Sequence, residues 1–160
     1  MSRLLKLSLL LLLISVLLIG CGSAPAEQEI VCNDLTLVLP ATFSDFSENG
    51  AKEGLAFNYA DVDVGVCGSF EGKSYLVQYI PDITPEKYAE LFLQTNSMAS
   101  QVEVVDAIPR FTYNAAGYTY LCGVFESGEN FWVVQAYCKQ DDYSAHEADM
   151  WNYICSVSVE

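Results

Sequence analysis

The chain has 160 residues, of which 52% are apolar and 12% aromatic, enough for one folded domain with a sizeable core and too aromatic for a disordered chain. Seven basic residues face 21 acidic ones, a formal net charge of −14. Arg3 and Lys6 precede every acidic residue, so the remainder is more negative still; it repels phosphate backbones, which excludes nucleic acid as a natural partner.

From the N-terminus, Arg3 and Lys6 supply a positive flank, and Leu7 to Ile19 form an apolar run broken by Ser8 and Ser15. The run is about 13 residues long, short of the roughly 20 that a membrane-spanning helix needs. It ends in Leu18-Ile19-Gly20-Cys21. That ending resembles the bacterial lipobox: an aliphatic residue, a tolerant position, a small residue, then cysteine. A small residue lets a peptidase approach the backbone, and only a thiol can carry a thioether to diacylglycerol. The resemblance implies a lipoprotein signal peptide over residues 1–20, cleavage before Cys21 and lipid on its sulfur. Two acyl chains on one residue suffice for stable anchoring. The implied location is the extracytoplasmic face of a bacterial cell membrane, with membrane lipid reached through Cys21. An ordinary signal peptide or an uncleaved anchor is the alternative. Gly22 to Glu29 has linker composition and reaches at most about 28 Å. Residues 21–29 are therefore expected as lipidated cysteine and tether, and residues 30–160 as the folded domain.

Within that domain, Ile30-Val31-Cys32 and Leu35 to Leu39 flank the turn pair Asn33-Asp34, which predicts an opening hairpin ended by Pro40. Leu55 to Tyr59 and Val62 to Val66 are further strand candidates. Thr84 and Pro85 are an N-cap and a first helical residue, with Ile83 and Tyr88 at hydrophobic-staple spacing. Tyr88, Leu91, Phe92 and Thr95 then share one face of a helix over Pro85 to Met98. Arg110 to Tyr113 and Tyr118 to Glu126 flank a turn at Asn114 to Gly117, and Phe131 to Cys138 returns from Ser127-Gly128-Glu129. Ser144 and Glu147 form a capping box for a last helix with Ala148, Trp151, Ile154 and Cys155 as its buried stripe. Ser156 to Val159 is a short terminal strand. Cys67 to Tyr79 and Cys122 to Tyr137 share a pattern that either a duplicated strand–strand–helix unit or chance would produce. Ser74 to Tyr79 also reads as a helical turn leading into Pro81.

Three stretches carry a wider resemblance: Leu35-Thr-Leu-Val-Leu-Pro40, Glu86-Lys-Tyr88-Ala89, and Phe131-Trp-Val-Val-Gln135 ahead of a final helix ending in Ser156-Val157. They resemble PsbP-like domains, a fold group shared by bacterial lipoproteins of uncharacterised activity. The resemblance spans about residues 30–160 and implies an α+β single domain, an antiparallel β-sheet with two main helices packed on it. None of the three motifs is catalytic, and no functional residue carries over.

The chemistry the residues permit is limited. His146 is the one histidine; it sits in the first turn of the last helix, where the helix N-terminus disfavours imidazolium, and no G-x-S-x-G motif accompanies it. Asp61 and Asp63 suggest a calcium loop, but Gly65 and Gly72 fall where ligands belong, so the pair reads as a hairpin cap. Asp141-Asp142 reads as a solvated turn. No cysteine pair has C-x₂-C spacing, and neither a metal nor a cofactor is expected. Carboxylate pairs for glycoside hydrolysis carry no signal among so many acids.

Beyond Cys21 there are Cys32, Cys67, Cys122, Cys138 and Cys155, an odd number, so either disulfides leave a thiol over or all five are small buried apolar residues. In the expected hairpin Cys122 faces Val134. Cys138 then lies about 13 Å further along, beyond the roughly 7 Å a disulfide spans. Cys122 and Cys155 are the candidate pair, because the last helix should run back antiparallel to that hairpin. Trp132 and Trp151 read as core. Tyr59, Tyr113, Tyr118 and Tyr120 are candidates, with Tyr75 and Tyr79, for a groove that takes a sugar or peptide, against the alternative of half-buried sheet surface. The leading expectation is a lipid-anchored extracytoplasmic protein acting as a non-catalytic binding or interaction module at the bacterial cell envelope, its partner an unidentified envelope protein or ligand. The alternative is a small-ligand binding lipoprotein with a tyrosine-lined pocket. A carboxylate-dependent enzyme, needing two acids buried in one cleft, is the third class.

Overall fold

Asn33 takes a left-handed backbone (φ 52°), and the turn Asn33-Asp34 folds β1 (Glu27–Cys32) back on β2 (Leu35–Pro40) with Cys32 opposite Leu35. The computed structural model describes residues 26–160. The signal peptide read over residues 1–20, Cys21 and the start of the tether lie outside the described residues. Glu27 to Glu29, read as the end of the tether, are strand instead. The Gln28 side-chain amide fixes them by donating to the carbonyls of Pro40 (3.1 Å) and Phe43 (2.8 Å).

The chain continues through β3 (Ser44–Asp45), α1 (Ser47–Gly50) and a 3-10 turn over Ala51–Glu53 that Gly54 ends at φ 82°. Then come β4 (Phe57–Ala60) and β5 (Val64–Gly72). The Asp61 carboxylate closes the turn between them, accepting from the amides of Asp63 (2.9 Å) and Val64 (2.8 Å). β5 outruns the expected strand and leads into α2 (Lys73–Leu76). The internal similarity is therefore no duplication, because its first copy ends in a helical turn where the second ends in a strand. Lys73 ties that turn down: its backbone N–H donates to Glu129 (2.8 Å), and its ammonium pairs with Glu126.

α3 (Pro85–Thr95) begins as expected, with the Thr84 hydroxyl oxygen accepting from the Lys87 amide at 3.3 Å. It stops short of Met98, because Ser97 adopts φ 54°, and it buries Tyr88, Ala89 and Leu93 while Thr95 stays exposed. β6 (Glu103–Val105) and β7 (Ile108–Ala115) follow; Ala116 and Gly117 (φ 52° and 83°) then turn β7 into β8 (Tyr118–Glu126). β9 (Asn130–Lys139) pairs with β8 so that Cys122 lies opposite Gln135, one residue on from the expected Val134. The cause is a longer turn, closed by the Ser127 amide on the Asn130 carbonyl.

α4 (Tyr143–Cys155) starts one residue before Ser144 with no side-chain cap, so the expected capping box is not formed. Its buried residues are Met150 and Ile154; Ala148 and Cys155, expected in that stripe, are exposed. Arg110 docks the helix, standing 5.0 Å over the Trp151 ring and 3.8 Å from Glu147. β10 (Ser158–Val159) pairs with β2.

The strands form two antiparallel sheets, β1-β2-β10 and β3-β4-β5-β9-β8-β7-β6, so the α+β class holds and the expected sheet is split in two. α4 and the small sheet cover one face of the large sheet: Leu35, Leu37, Leu39, Met150 and Ile154 pack on Leu121, Trp132, Val134 and Ala136. On the other face α3 covers Phe111, Cys122, Val124, Phe131 and Val133. α3 is too short to cover all of it, and the remainder of that face is open. Among the described residues no helix is long and apolar enough to cross a membrane.

Candidate functional site

The uncovered part of the large sheet is a cavity of about 280 Å³ lined by Glu53, Leu55, Asn58, Cys67, Tyr113, Tyr120, Gln135 and Tyr137. Strand parity builds it. Tyr113 lies opposite Tyr120, Tyr120 opposite Tyr137, Cys67 opposite Gln135 and Asn58 opposite Cys67, so side chains from adjacent strands emerge together. The Tyr113 and Tyr120 rings stack in parallel, 2° between planes and 4.7 Å between centroids, and Tyr137 joins them at 5.5 Å. Gly65 makes room for Tyr137: a Cβ there would stand 2.1 Å from the ring.

Polar groups converge on the floor. The Tyr113 hydroxyl donates to Gln135 Oε1 at 2.6 Å, and the Cys122 thiol points at the same oxygen from 3.9 Å. The Tyr137 hydroxyl donates to Asn58 Oδ1 at 3.1 Å. Gln135 is only 6% exposed and lines the cavity, and among the described residues no buried side-chain nitrogen or oxygen lacks a hydrogen-bond partner. Burial pushes the Tyr137 phenol and the Cys67 thiol each up to about 12, and raises Tyr113, Tyr120 and Cys122 as well. At neutral pH every one of these groups carries its proton, and Glu53 at the rim is the one charge in the lining.

Of the four tyrosines expected to line a groove, Tyr113 and Tyr120 do. Tyr118 reaches Tyr137 edge-on from the margin (6.0 Å), 38% exposed. Tyr59 belongs to the opposite face, where its hydroxyl donates to Asp45 (3.2 Å) and its ring meets the core under α4. Tyr75 in α2 and Tyr79 just after it lie elsewhere, edge to face with each other. Tyr137, Gln135 and Asn58 were missed; their alternation with residues of the buried face was the available signal.

The expected Cys122–Cys155 disulfide is not formed, and all five thiols are free. Cys122 is fully buried on the α3 face, whereas Cys155 is exposed on α4 beyond the opposite face; the sheet backbone separates them. His146 is half-buried. None of the 21 acidic side chains is buried, and only Asp34 and Glu147 are even half-buried, so the cleft with two buried acids required by the carboxylate-enzyme reading is missing among the described residues. Asp141-Asp142 is the exposed 3-10 turn before α4, and Trp132 is fully buried.

The arrangement of two sheets and two main helices aligns with the solution structure of cyanobacterial PsbP (CyanoP) from Synechocystis sp. PCC 6803, with a TM-score of 0.61 over 88% of this chain and 96% of that one. The domain has a PsbP-like fold. Sequence identity is 11%, so the likeness speaks to the fold alone. No protein-family profile matches the chain, and no curated protein matches it in sequence. What distinguishes this PsbP-like domain chemically has to be read from its own side chains, and the tyrosine basin is where they converge.

Proposed function

We propose that this chain is a lipid-anchored, extracytoplasmic, non-catalytic binding module that holds a small polar ligand in the tyrosine basin. The observation that carries it is the convergence of polar side chains on one cavity, the Tyr113 hydroxyl on Gln135 and the Tyr137 hydroxyl on Asn58, beside the stacked Tyr113 and Tyr120 rings. The volume of about 280 Å³ stands just below the roughly 300–1,000 Å³ range of drug-sized sites, which suits a small ligand. The phenols and thiol are all held protonated, far from the near-neutral poise that general acid–base catalysis uses, which favours binding over turnover. The lipobox resemblance supports the placement.

The test is a titration of the full chain in nanodiscs, its tyrosine rings ¹³C-labelled, with glucose, N-acetylglucosamine, gluconate and N-acetylalanine methylamide. At least one probe should shift the Tyr113, Tyr120 and Tyr137 resonances and leave unmoved Tyr59 and the α4 residue Tyr153, both packed against the core of the opposite face. Shifts confined to Tyr75 and Tyr79, or none with any probe, would overturn the reading.

A further inference from the structure

The two sheets have four outer strands, and three of them are short: β3 and β10 have two residues each and β6 has three. The fourth is β1, six residues long and without proline. Shortness blunts an edge, so β1 is where the fold leaves an open ladder long enough to pair. Its outward groups follow from the register. The Ala41 N–H donates to the Ala26 carbonyl at 2.7 Å, which makes Ala26 and Ala41 a hydrogen-bonded pair. Bonded and unbonded pairs alternate along an antiparallel ladder. Gln28, Ile30 and Cys32 therefore bond to β2, while Glu27, Glu29 and Val31 turn their N–H and C=O groups away from it. Val38, opposite Glu29, agrees: its N–H and carbonyl both meet the Ser156 hydroxyl on the far side of β2, at 3.1 and 3.0 Å. Among the described residues no backbone group bonds to the outward side of β1. The Gln28 side chain, bonded to Pro40 and Phe43, holds the start of this edge in place.

The side chains of the same three outward residues share one face of the strand and are all exposed, Val31 by 66%. They restrict what can pair there. A second copy laid antiparallel and centred on Glu29 would set Glu29 against its own counterpart, and sliding it by two residues would set Glu27 against Glu29; like charges directly opposite destabilise a strand pair. A strand with Lys or Arg opposite Glu27 and Glu29, and a β-branched apolar residue opposite Val31, is favoured at each of the three positions.

We infer that β1 is a docking edge for an extended basic segment of another protein, which joins the small sheet as a further antiparallel strand and sets its cationic side chains opposite Glu27 and Glu29. The small sheet covers the face of the large sheet opposite the tyrosine basin, so this inference stands apart from the ligand reading.

The test is a titration of the ¹⁵N-labelled full chain, in phosphatidylcholine nanodiscs, with the capped peptide Thr-Val-Val-Lys-Thr-Lys and with its counterpart in which both lysines are glutamate. The basic peptide should bind about ten-fold or more tightly than the acidic one and slow hydrogen exchange at the amides of Glu27, Glu29 and Val31. Methylating the backbone nitrogens of its valine and lysine residues that face β1 keeps the charge, removes the donors and should abolish binding. Val31→Pro deletes one outward N–H without touching the bonds to β2 and should weaken the basic peptide at least about three-fold. Replacing Glu27 and Glu29 together by lysine alters exposed side chains only, so it keeps the test decisive should Val31→Pro fail to fold; it should reverse the preference to the acidic peptide. Equal binding of the methylated and unmethylated peptides, a preference that survives the charge reversal, or protection at another strand would overturn the inference. So would a dimer of the wild-type chain that Val31→Pro abolishes, because a second copy would then own the edge.

Discussion

Three side chains around the β8–β9 turn converge on the carboxylate of Asp34: the Ser127 hydroxyl, the Asn130 amide (2.8 Å) and the Trp132 indole N–H (2.8 Å). The Asp34 carbonyl accepts from the Glu160 amide at 3.0 Å. One residue thus fastens the first hairpin to the central one and to the C-terminus. Partial burial pushes its pKa up, but the bonds from Ser127, Trp132 and Asn130 outweigh that, and the net shift is downward. With the folded value below the unfolded one, its contribution is present above the ordinary carboxylate range and is lost as pH falls through the folded value. Asp34→Ala should lower stability by about 1–3 kcal/mol in urea unfolding at neutral pH, since it leaves the Trp132 N–H buried without an acceptor. The deficit should shrink between about pH 5 and pH 2 as wild type loses the same interaction. A deficit that stays constant over that range would show that Asp34 acts through shape alone.

At the scale of elements, what could be read in advance was what short-range chemistry decides. Asn33-Asp34, the turn before Tyr118 and the Thr84-Pro85 cap each fix a boundary through their own backbone preferences, and each stands where expected. Errors gathered where distant contacts decide. The last helix lacks its Ser144 cap because docking through Arg110 and Trp151, not a terminal hydrogen bond, determines where it lies. A turn one residue longer than read moved Gln135, not Val134, opposite Cys122. That shift hid the site. Tyr113 and Tyr120 could be grouped as candidates because strands rich in tyrosine present them, but Tyr59 looks identical in sequence and faces the other way. Tyr137, Gln135 and Asn58 became functional candidates only once three strands, one of them distant in sequence, were aligned.

At the scale of the whole molecule, two faces of one sheet do different work. One is sealed by α4 and the small sheet and supplies the core; the other is only partly covered by α3, and the uncovered part holds the basin. All 21 carboxylates lie in the described domain, with five Lys and Arg residues among them, so the domain is repelled by an anionic lipid surface. A lipid on Cys21 would hold it near that surface all the same. Metabolic labelling with an alkynyl fatty acid should mark the wild-type chain and fail to mark Cys21→Ser; equal labelling of both, or of neither, would contradict the anchor. On the function proposed above, the tyrosine basin is where this domain binds its ligand. It is tested most directly by titrating the full chain and its Tyr120→Ala variant, in parallel and by calorimetry, with whichever probe shifts the basin tyrosines. Removal of this ring, which stands between Tyr113 and Tyr137 in the lining, should weaken binding at least ten-fold with the fold intact, whereas an unchanged dissociation constant would contradict that role.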